Sequence, residues 1–156
     1  MEKFLEYLQE AEKTIKIVDH IIYVTFPLIK DKRLLLKIIS EIKKVLAYCI
    51  NSILQHEYLF KKIKLYKDAK SNFQTFINKS SKRFDINNKE IKQIINLFEI
   101  VEAHKYSSME FIKDEKVFIL GENMKQESIS LEKTKEFLIL AKEILKKTKN
   151  KIFPYN

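Results

Sequence analysis

The sequence predicts an all-α fold for most of the chain: an up-and-down helical bundle of about five helices, with a long N-terminal helical hairpin and one small β-hairpin near residues 109–120. Three observations lead to this fold. Apolar residues recur three and four positions apart over most of the 156 residues, which is the period of an amphipathic helix. Gly121 is the only glycine and there are two prolines, so helix breakers are scarce. One late stretch instead has the composition of β-strands.

The N-terminal part of the chain predicts two long helices that pack against each other. The first is expected from about Glu2 to Val24, and Pro27 ends it because the residue before a proline is pushed out of the α region. The second is expected to begin near Asp31, a suitable N-cap residue. Its two apolar stripes place it at the centre of the fold. The single stripe of the first helix consists of Phe4, Leu8, Ala11, Ile15, Val18, Ile22 and Thr25.

Two further helices are predicted in the middle of the chain. A third helix is expected over about residues 63–78, after a bend near Lys61, and a polar loop follows it over residues 79–83. Asn87 or Asn88 is expected to cap a fourth helix. The apolar residues of both helices fall on one face at helical spacing.

The pattern changes in the last third of the chain. Residues 109–112 and 117–120 are apolar and flank a polar four-residue turn, which predicts a β-hairpin packed against the helices. Ser130 is expected to cap the last helix. A single domain is expected over residues 1–150, with a short basic and aromatic tail at 151–156. The predicted buried face of the last helix consists of Phe137, Leu138, Ala141, Ile144 and Leu145.

The net charge of +9 is unevenly distributed along the chain. Residues 29–70 carry eleven basic and four acidic residues, whereas residues 93–132 carry four basic and eight acidic residues. A basic surface suits a polyanion because each phosphate contact releases counterions; the alternative is a solvated surface without a partner. Arg33 and Arg83 are the only arginines, so any nucleic-acid binding is expected to be to the backbone or to the shape of the nucleic acid, and not to base edges. The predicted binding residues are Lys61, Lys62, Lys64, Lys67, Lys70, Lys82 and Arg83.

Several kinds of site are excluded by composition and spacing. One glycine excludes a P-loop and a dinucleotide-binding turn. Cys49 stands alone in an apolar setting, which predicts a buried, inert thiol and no cysteine-based zinc site. His20, His56 and His104 lack the spacing of metal ligands, so no metal and no cofactor are expected. No apolar run reaches the ~20 residues that span a bilayer, and no signal peptide opens the chain, so a cytoplasmic protein without membrane contact is expected.

Parts of the chain resemble a HEPN domain, a helical family of nucleotide-binding and RNA-cleaving modules. The long helical hairpin resembles the start of that fold. Residues 47–52 resemble its small-and-aromatic second core helix, and residues 129–137 resemble its last helix. Residues 99–106 contain His104, at the end of the fourth predicted helix. The resemblance implies a helical fold and a nucleotide or RNA partner.

The catalytic signature of the HEPN family is an arginine followed, after four to six residues, by a histidine. The corresponding positions before His104 hold Glu99, Phe98 and Leu97, and none is arginine. Only His104 therefore carries over, as the one candidate catalytic residue. Ribonuclease activity does not follow from the resemblance.

Three hypotheses about function remain open from the sequence. The first is a non-enzymatic helical interaction module that binds RNA, a nucleoprotein or an acidic protein through its lysine-rich surface. The second is a HEPN-type ribonuclease or a catalytically inert relative. The third is a structural or assembly protein that forms helical homodimers through the apolar stripes of its first two helices.

Overall fold

In the computed structural model, which describes residues 1–121 and 125–154, the chain is mostly helical and carries one small antiparallel sheet. Two stretches, Ile21–Thr25 and Phe76–Ser80, are wound as π-helix. The α-helices are α1 (Lys3–His20), α2 (Phe26–Ile29), α3 (Leu34–Leu59), α4 (Ala69–Thr75), α5 (Ser81–Arg83), α6 (Asn88–Lys105) and α7 (Leu131–Ile152). The strands are β1 (Met109–Lys113), β2 (Lys116–Leu120) and β3 (Gln126–Ser130).

Helices α1 and α3 form the long antiparallel pair that the apolar stripes predict. Near the start of α1, the Phe4 carbonyl accepts a hydrogen bond of 2.7 Å from Ser52 Oγ, in the second half of α3. One turn further along α1, the rings of Tyr7 and Tyr48 lie 6.4 Å apart. The apolar stripe of α1 is buried inside this chain, and α3 is buried on two sides.

The prediction that Pro27 ends the first helix is wrong. The backbone widens into the π-helical turn Ile21–Thr25, where the N–H of Phe26 donates to the carbonyl five residues earlier. This wider turn accommodates a proline, which lacks an N–H and crowds the preceding helical turn. The chain turns at Lys30 instead, whose φ is 58°. Asp31 does not cap α3 itself, since its Oδ1 accepts a 3.0 Å bond from the N–H two residues later, in the turn before the helix.

The third predicted helix is wrong at both ends. Residues 60–68 form an irregular loop, and α4 begins only after Asp68, whose Oδ2 accepts a 2.9 Å hydrogen bond from the N–H of Ser71. An aspartate that caps a helix binds the N–H groups of its first turn from a non-helical backbone, so the helix cannot extend back through it. Helical winding then continues through Phe76–Ser80 into α5, so the stretch 79–83 is helical and not a polar loop.

The capping predictions for the two later helices are confirmed. Asn87 caps α6, because its Oδ1 accepts from the N–H of Glu90 at 2.8 Å while the Glu90 carboxylate accepts from the N–H of Asn87 at 3.0 Å. Ser130 caps α7 and accepts from the N–H of Lys133 at 3.1 Å. The predicted inner face of α7 is also confirmed, since all five of its residues are buried.

The predicted β-hairpin is confirmed, with a tighter turn than expected. Strands β1 and β2 pair antiparallel up to Lys113 opposite Lys116, which leaves Asp114 and Glu115 as a two-residue turn. Their φ angles of 51° and 64° are those of a turn that matches the twist of the two strands. The register therefore places Val117 and Ile119 on the buried face of β2.

Strand β3 was not predicted from the sequence. It pairs antiparallel with β2, and Ile129, opposite Val117, is its one buried residue. The other residues of Gln126–Ser130 are polar, so the stretch lacks the apolar alternation of a strand. At the C terminus, α7 continues through Ile152, and Phe153 packs against the core, so the predicted tail is partly structured; Tyr155 lies outside the described residues. No helix within residues 1–121 and 125–154 is long and apolar enough to cross a membrane.

Candidate functional site: a lysine-lined pocket after helix α3

The end of α3 turns the predicted lysine run into a compact loop. The N–H of Lys62 donates to the Glu57 carbonyl at 2.9 Å, and Lys61 adopts a left-handed φ of 59°. This hydrogen bond closes a six-residue turn of the kind that commonly ends helices, in which glycine is preferred at the left-handed position. Lysine at that position carries a backbone cost of roughly 1 kcal/mol, because its Cβ crowds the following carbonyl.

The loop is held in place by the side chain of Asn72. Its Oδ1 accepts from the N–H of Tyr66 at 2.7 Å, and its Nδ2 donates to the Tyr66 carbonyl at 2.9 Å. Both backbone groups of one loop residue are thus bound by one amide. Ile63, buried beneath the loop, anchors it to the core. The lysines between these fixed points are presented from a defined backbone.

Four lysines surround one open pocket, which we call the lysine pocket. Its volume is about 370 Å³. No carboxylate lines it, and none of the four ammonium groups forms an ion pair with a described residue. Like charges around one concavity repel each other, and an anion placed among them relieves that repulsion. The lining residues are Lys61, Lys62, Lys64 and Lys79 with Ile63, Tyr66 and Thr75.

The structure separates the predicted binding residues into groups. Lys61, Lys62 and Lys64 line the lysine pocket, whereas Lys67 and Lys70 line a neighbouring groove between α3 and α4. Lys82 is exposed on α5 and lines neither concavity. The sequence-based set omitted Lys79, because nothing in the local pattern shows that the winding from α4 into α5 returns that residue to the loop.

Arg83 is engaged in an internal ion pair and is not a free member of the basic surface. Its Nε donates to both carboxylate oxygens of Glu57, at 2.8 and 2.9 Å. The Glu57 side chain is only 2% exposed. The hydrogen bond to Glu57 raises the pKa of Arg83. This pair holds α5 against the end of α3, beside the loop, and a role of Arg83 in binding stays a prediction.

Exposed aromatic side chains accompany the lysines. Tyr66 lines the lysine pocket and is 52% exposed. Tyr58 and Phe60, at the end of α3, are 54% and 58% exposed. Large exposed aromatic surfaces beside unpaired lysines are the combination found in surfaces that bind single-stranded nucleic acids.

His104 lies at the opposite end of the fold, beside the sheet. Its Nδ1 is 2.5 Å from Glu110 Oε2, which joins the end of α6 to β1. Glu110 also lines a small cavity of about 50 Å³ with Arg33 and Ile112. Glu110 thus contacts His104 and shares a cavity with Arg33, the residue that precedes α3.

An acidic groove separates α6 from the sheet. It has a volume of about 320 Å³ and is lined by Glu99, Glu102 and Glu127 together with Tyr106 and Lys125. Lys125 lies 3.7 Å from Glu127. Within the described ranges, no group of three or more histidine, cysteine or carboxylate side chains is arranged to hold a metal ion. The carboxylates of this groove are available to a cation but do not converge on one point.

The apolar stripes named for a subunit interface are already used inside the chain, since those of α1 and α3 form its core. The apolar side chains that remain exposed near α2 and on the outer face of α7 are different ones, namely Ile17, Val24, Leu28, Ile29 and Ile139.

Comparison with known proteins places the chain in no family: no protein-family model matches it, and no match was found among curated proteins or solved structures.

Proposed function

We propose that this protein is a non-enzymatic interaction module that binds the backbone of single-stranded RNA through the lysine pocket. The observation that carries the proposal is the convergence of four lysines, without ion-pair partners among the described residues, on one concavity. An up-and-down bundle of helices serves as the support for the loop. Lysine contacts a phosphate as a point charge, so this mode of binding does not read sequence.

Single-stranded RNA is favoured over an acidic protein by the exposed aromatic rings. Tyr66 stands in the pocket, and Tyr58 and Phe60 stand one helical turn or less from its first lysine. Stacking of an unpaired base on such a ring contributes about 1–3 kcal/mol, which an acidic protein surface does not supply. Removing an aromatic ring therefore distinguishes the two partners.

The first test reverses three charges of the pocket. The triple variant Lys61→Glu, Lys62→Glu, Lys64→Glu is expected to lose binding of a labelled single-stranded oligoribonucleotide at ~100 mM salt, because the affinity arises from phosphate contacts. All three side chains are exposed, so the helical circular-dichroism spectrum is expected to remain unchanged. Fluorescence anisotropy over a salt series measures the affinity and its salt dependence.

A matched control distinguishes the effect of the lysine pocket from the effect of net charge. Lys13, Lys16 and Lys89 are exposed, form no ion pair with a described residue and lie outside the lysine pocket. Reversal of these three changes the net charge by the same amount and is expected to leave most of the affinity. Equal losses in both variants, or no loss in either, would contradict a site at the lysine pocket.

The aromatic test uses Tyr66→Ala with two polyanions. We expect this variant to weaken binding of the single-stranded RNA by roughly tenfold, since one stacking contact is lost. Binding of heparin, which has no bases, is expected to change little. An equal effect on both ligands would argue for an acidic partner without bases and against RNA.

A second candidate function, RNA cleavage, is supported by one specific observation: the contact between His104 Nδ1 and Glu110 Oε2. A carboxylate at Nδ1 orients the imidazole and leaves Nε2 to accept the 2′-hydroxyl proton while the 2′ oxygen attacks phosphorus and the 5′ oxygen leaves with a proton from water. Arg33, which lines the same small cavity as Glu110, is the cation that this candidate assigns to the phosphorane charge. The test compares cleavage of the labelled RNA by wild type and His104→Ala, and equal inactivity of the two rejects this candidate.

Homodimer formation is the third candidate, and it is favoured by the apolar side chains left exposed near α2 and on the outer face of α7. Leu28 is 80% exposed and Ile139 is 65% exposed. Exposed apolar surface is a common feature of contacts between proteins when it is contiguous. Sedimentation velocity at two concentrations tests it, and a Leu28→Lys variant provides the control. A strict monomer at both concentrations excludes the dimer.

A further inference from the structure

A second concavity lies beside the lysine pocket and differs from it in chemistry. This α3–α4 groove has a volume of about 480 Å³, within the range of small-molecule sites. Its floor is hydrocarbon, and its rim carries two lysines. The floor residues include Ile50, Leu54, Phe73 and Phe98, and the two rim lysines are Lys67 and Lys70.

The apolar floor of the groove consists of two walls. One wall is a face of α3, where Ala47, Ile50 and Leu54 follow each other at three- and four-residue spacing over roughly 10 Å. The other wall holds Phe73 and Phe98, whose ring centroids are 5.6 Å apart. A hydrocarbon chain or a flat ring lying between these walls would leave water and gain burial of apolar surface.

Two asparagines line the groove. Asn51 is exposed on α3 and stays in contact with water. Asn72 borders the groove, but both groups of its amide are bound to the Tyr66 backbone. A polar body placed on this floor would lose its hydrogen bonds to water without replacement, which costs about 1–3 kcal/mol for each group. The ligand body that fits between Ile50, Leu54 and the two phenylalanine rings is therefore apolar.

The rim selects for negative charge. Lys67 and Lys70 are both exposed, and neither forms an ion pair with a described residue. Asp68 stands between them in sequence and caps α4 through the N–H of Ser71. Its carboxylate keeps its charge, but the two lysines outnumber it, so the rim stays positive. An anionic head at this rim keeps its contact with water while gaining two opposite charges.

We propose that the α3–α4 groove binds a small amphipathic anion, with an acyl or aryl body on the apolar floor and a single carboxylate-like head between Lys67 and Lys70. This site is separate from the lysine pocket, and it does not depend on RNA binding. Its ligand is distinguished from a polyanion by requiring an apolar body, and from a neutral lipid by requiring a charge.

The probe for this site is octanoate, and octyltrimethylammonium is the control of opposite charge. Binding is followed by the methyl resonances of Ala47 and Ile50 in a carbon–proton correlation spectrum of the full chain. We expect octanoate to shift these resonances and to bind at least tenfold more tightly than octyltrimethylammonium. Butyrate is expected to bind at least tenfold more weakly than octanoate, because it buries less of the floor.

Two sets of variants test the contributions of the floor and the rim to octanoate binding. Ala47→Trp, which fills the floor, is expected to lower octanoate affinity at least tenfold. Binding to this variant is measured from the methyl resonance of Ile50. Ala47→Leu is the milder substitution if the larger side chain disturbs folding. Lys67→Gln with Lys70→Gln is expected to reduce the preference for the anion over the cation to less than threefold. As a charge-matched control, Lys61→Gln with Lys62→Gln is expected to leave octanoate binding intact while weakening RNA binding.

Two results would overturn the proposal. One is equal affinity for the anionic and cationic probes, which would show that the rim does not select charge. The other is octanoate binding that is unchanged in both Ala47→Trp and Ala47→Leu, which would place the probe elsewhere. Loss of RNA binding in the lysine-pocket variants bears on the proposed function only, so the two proposals fail separately.

Discussion

Glu57 and Arg83 form an ion pair that joins the end of α3 to α5, with the Glu57 side chain buried and the Arg83 side chain 36% exposed. Arg83 Nε donates to both oxygens of the Glu57 carboxylate, and its terminal nitrogen Nη2 is 2.6 Å from Glu57 Oε1. The loop that carries the lysine pocket begins three residues after Glu57. The pair therefore stabilises the base of the candidate site.

Removal of one member of this pair is expected to destabilise the fold. Arg83→Met would leave the Glu57 carboxylate buried without its partner, and we expect a loss of about 3 kcal/mol in the free energy of unfolding. Urea denaturation measures this value. The double variant Glu57→Leu, Arg83→Met is the control, and it is expected to recover most of the loss. A single variant as stable as wild type would contradict this role for the pair.

Acid is expected to destabilise the protein through His56. This ring packs edge-on against Phe4 and lies near Phe60 and Phe84. Burial lowers the pKa of His56 from its ordinary value of 6.5. As the pH falls below 6.5, the unfolded chain takes up a proton that the folded chain resists, so the free energy of unfolding decreases until the folded pKa is reached.

The pH prediction is checked by urea denaturation at several pH values between 8 and 5. His56→Phe, which keeps an aromatic ring, is expected to flatten the decrease in stability below pH 6.5. His20→Gln, at an exposed position on α1, is the control and is expected to retain the decrease. A His56→Phe profile that follows wild type would contradict the assignment to His56.

Cys49 is expected to be unreactive in the folded protein. Burial raises the pKa of its thiol to about 12, although a hydrogen bond with Thr148 lowers it in part. Since the thiolate is the reactive form, iodoacetamide at pH 7.5 is expected to label Cys49 only when the chain unfolds. Labelling followed by mass spectrometry over a urea series is expected to parallel the unfolding curve. Rapid labelling without denaturant would contradict the buried environment.

Lys61→Gly is expected to change stability and RNA binding in opposite directions. Glycine adopts a φ of 59° without the cost that lysine bears there, so we expect a gain of about 1 kcal/mol in the free energy of unfolding. Loss of one phosphate contact is expected to reduce the log–log salt slope of RNA affinity by about 0.7. Lys62→Gly is the control, since it removes a charge without removing a left-handed lysine. A loss of stability in Lys61→Gly would contradict this reading of the turn.

Asn72→Ala is expected to weaken RNA binding without changing any charge. The variant removes both hydrogen bonds to the Tyr66 backbone, so the loop and its lysines lose their defined position. Amide hydrogen exchange at Tyr66 is expected to accelerate, and RNA affinity is expected to fall several-fold. Asn78→Ala, at an exposed position after α4, is the control. Unchanged exchange at Tyr66 would contradict the role of Asn72.

The longest elements were predictable because their signals are local and repeated. The apolar period of α1 and α3 extends over many turns, and the caps Asn87 and Ser130 act on N–H groups within three residues. The candidate site was predicted in part: the lysine run was recognised, but Arg83 was assigned to the surface. Its buried partner Glu57 lies 26 residues away, and no local pattern shows that contact.

The two errors have different physical causes. The lysine and apolar spacing of residues 63–70 fits a helix, but the left-handed turn at Lys61 and the cap at Asp68 convert it into a loop. Strand β3 is mostly polar and exists because β2 offers it a free edge. A local turn and cap outweighed the helical propensity of the first stretch, and pairing with a distant strand outweighed the weak strand propensity of the second.

By itself, the sequence determined the helical class, the long N-terminal pair, the β-hairpin, the caps of α6 and α7 and the concentration of lysine after α3. These follow from hydrophobic period, capping chemistry and charge, which are properties of neighbouring residues. Only the tertiary structure decided which lysines share a pocket, because Lys79 reaches Lys61, Lys62 and Lys64 through the winding from α4 into α5. It also placed an apolar groove beside them, since that groove exists only where α3, α4 and α6 meet.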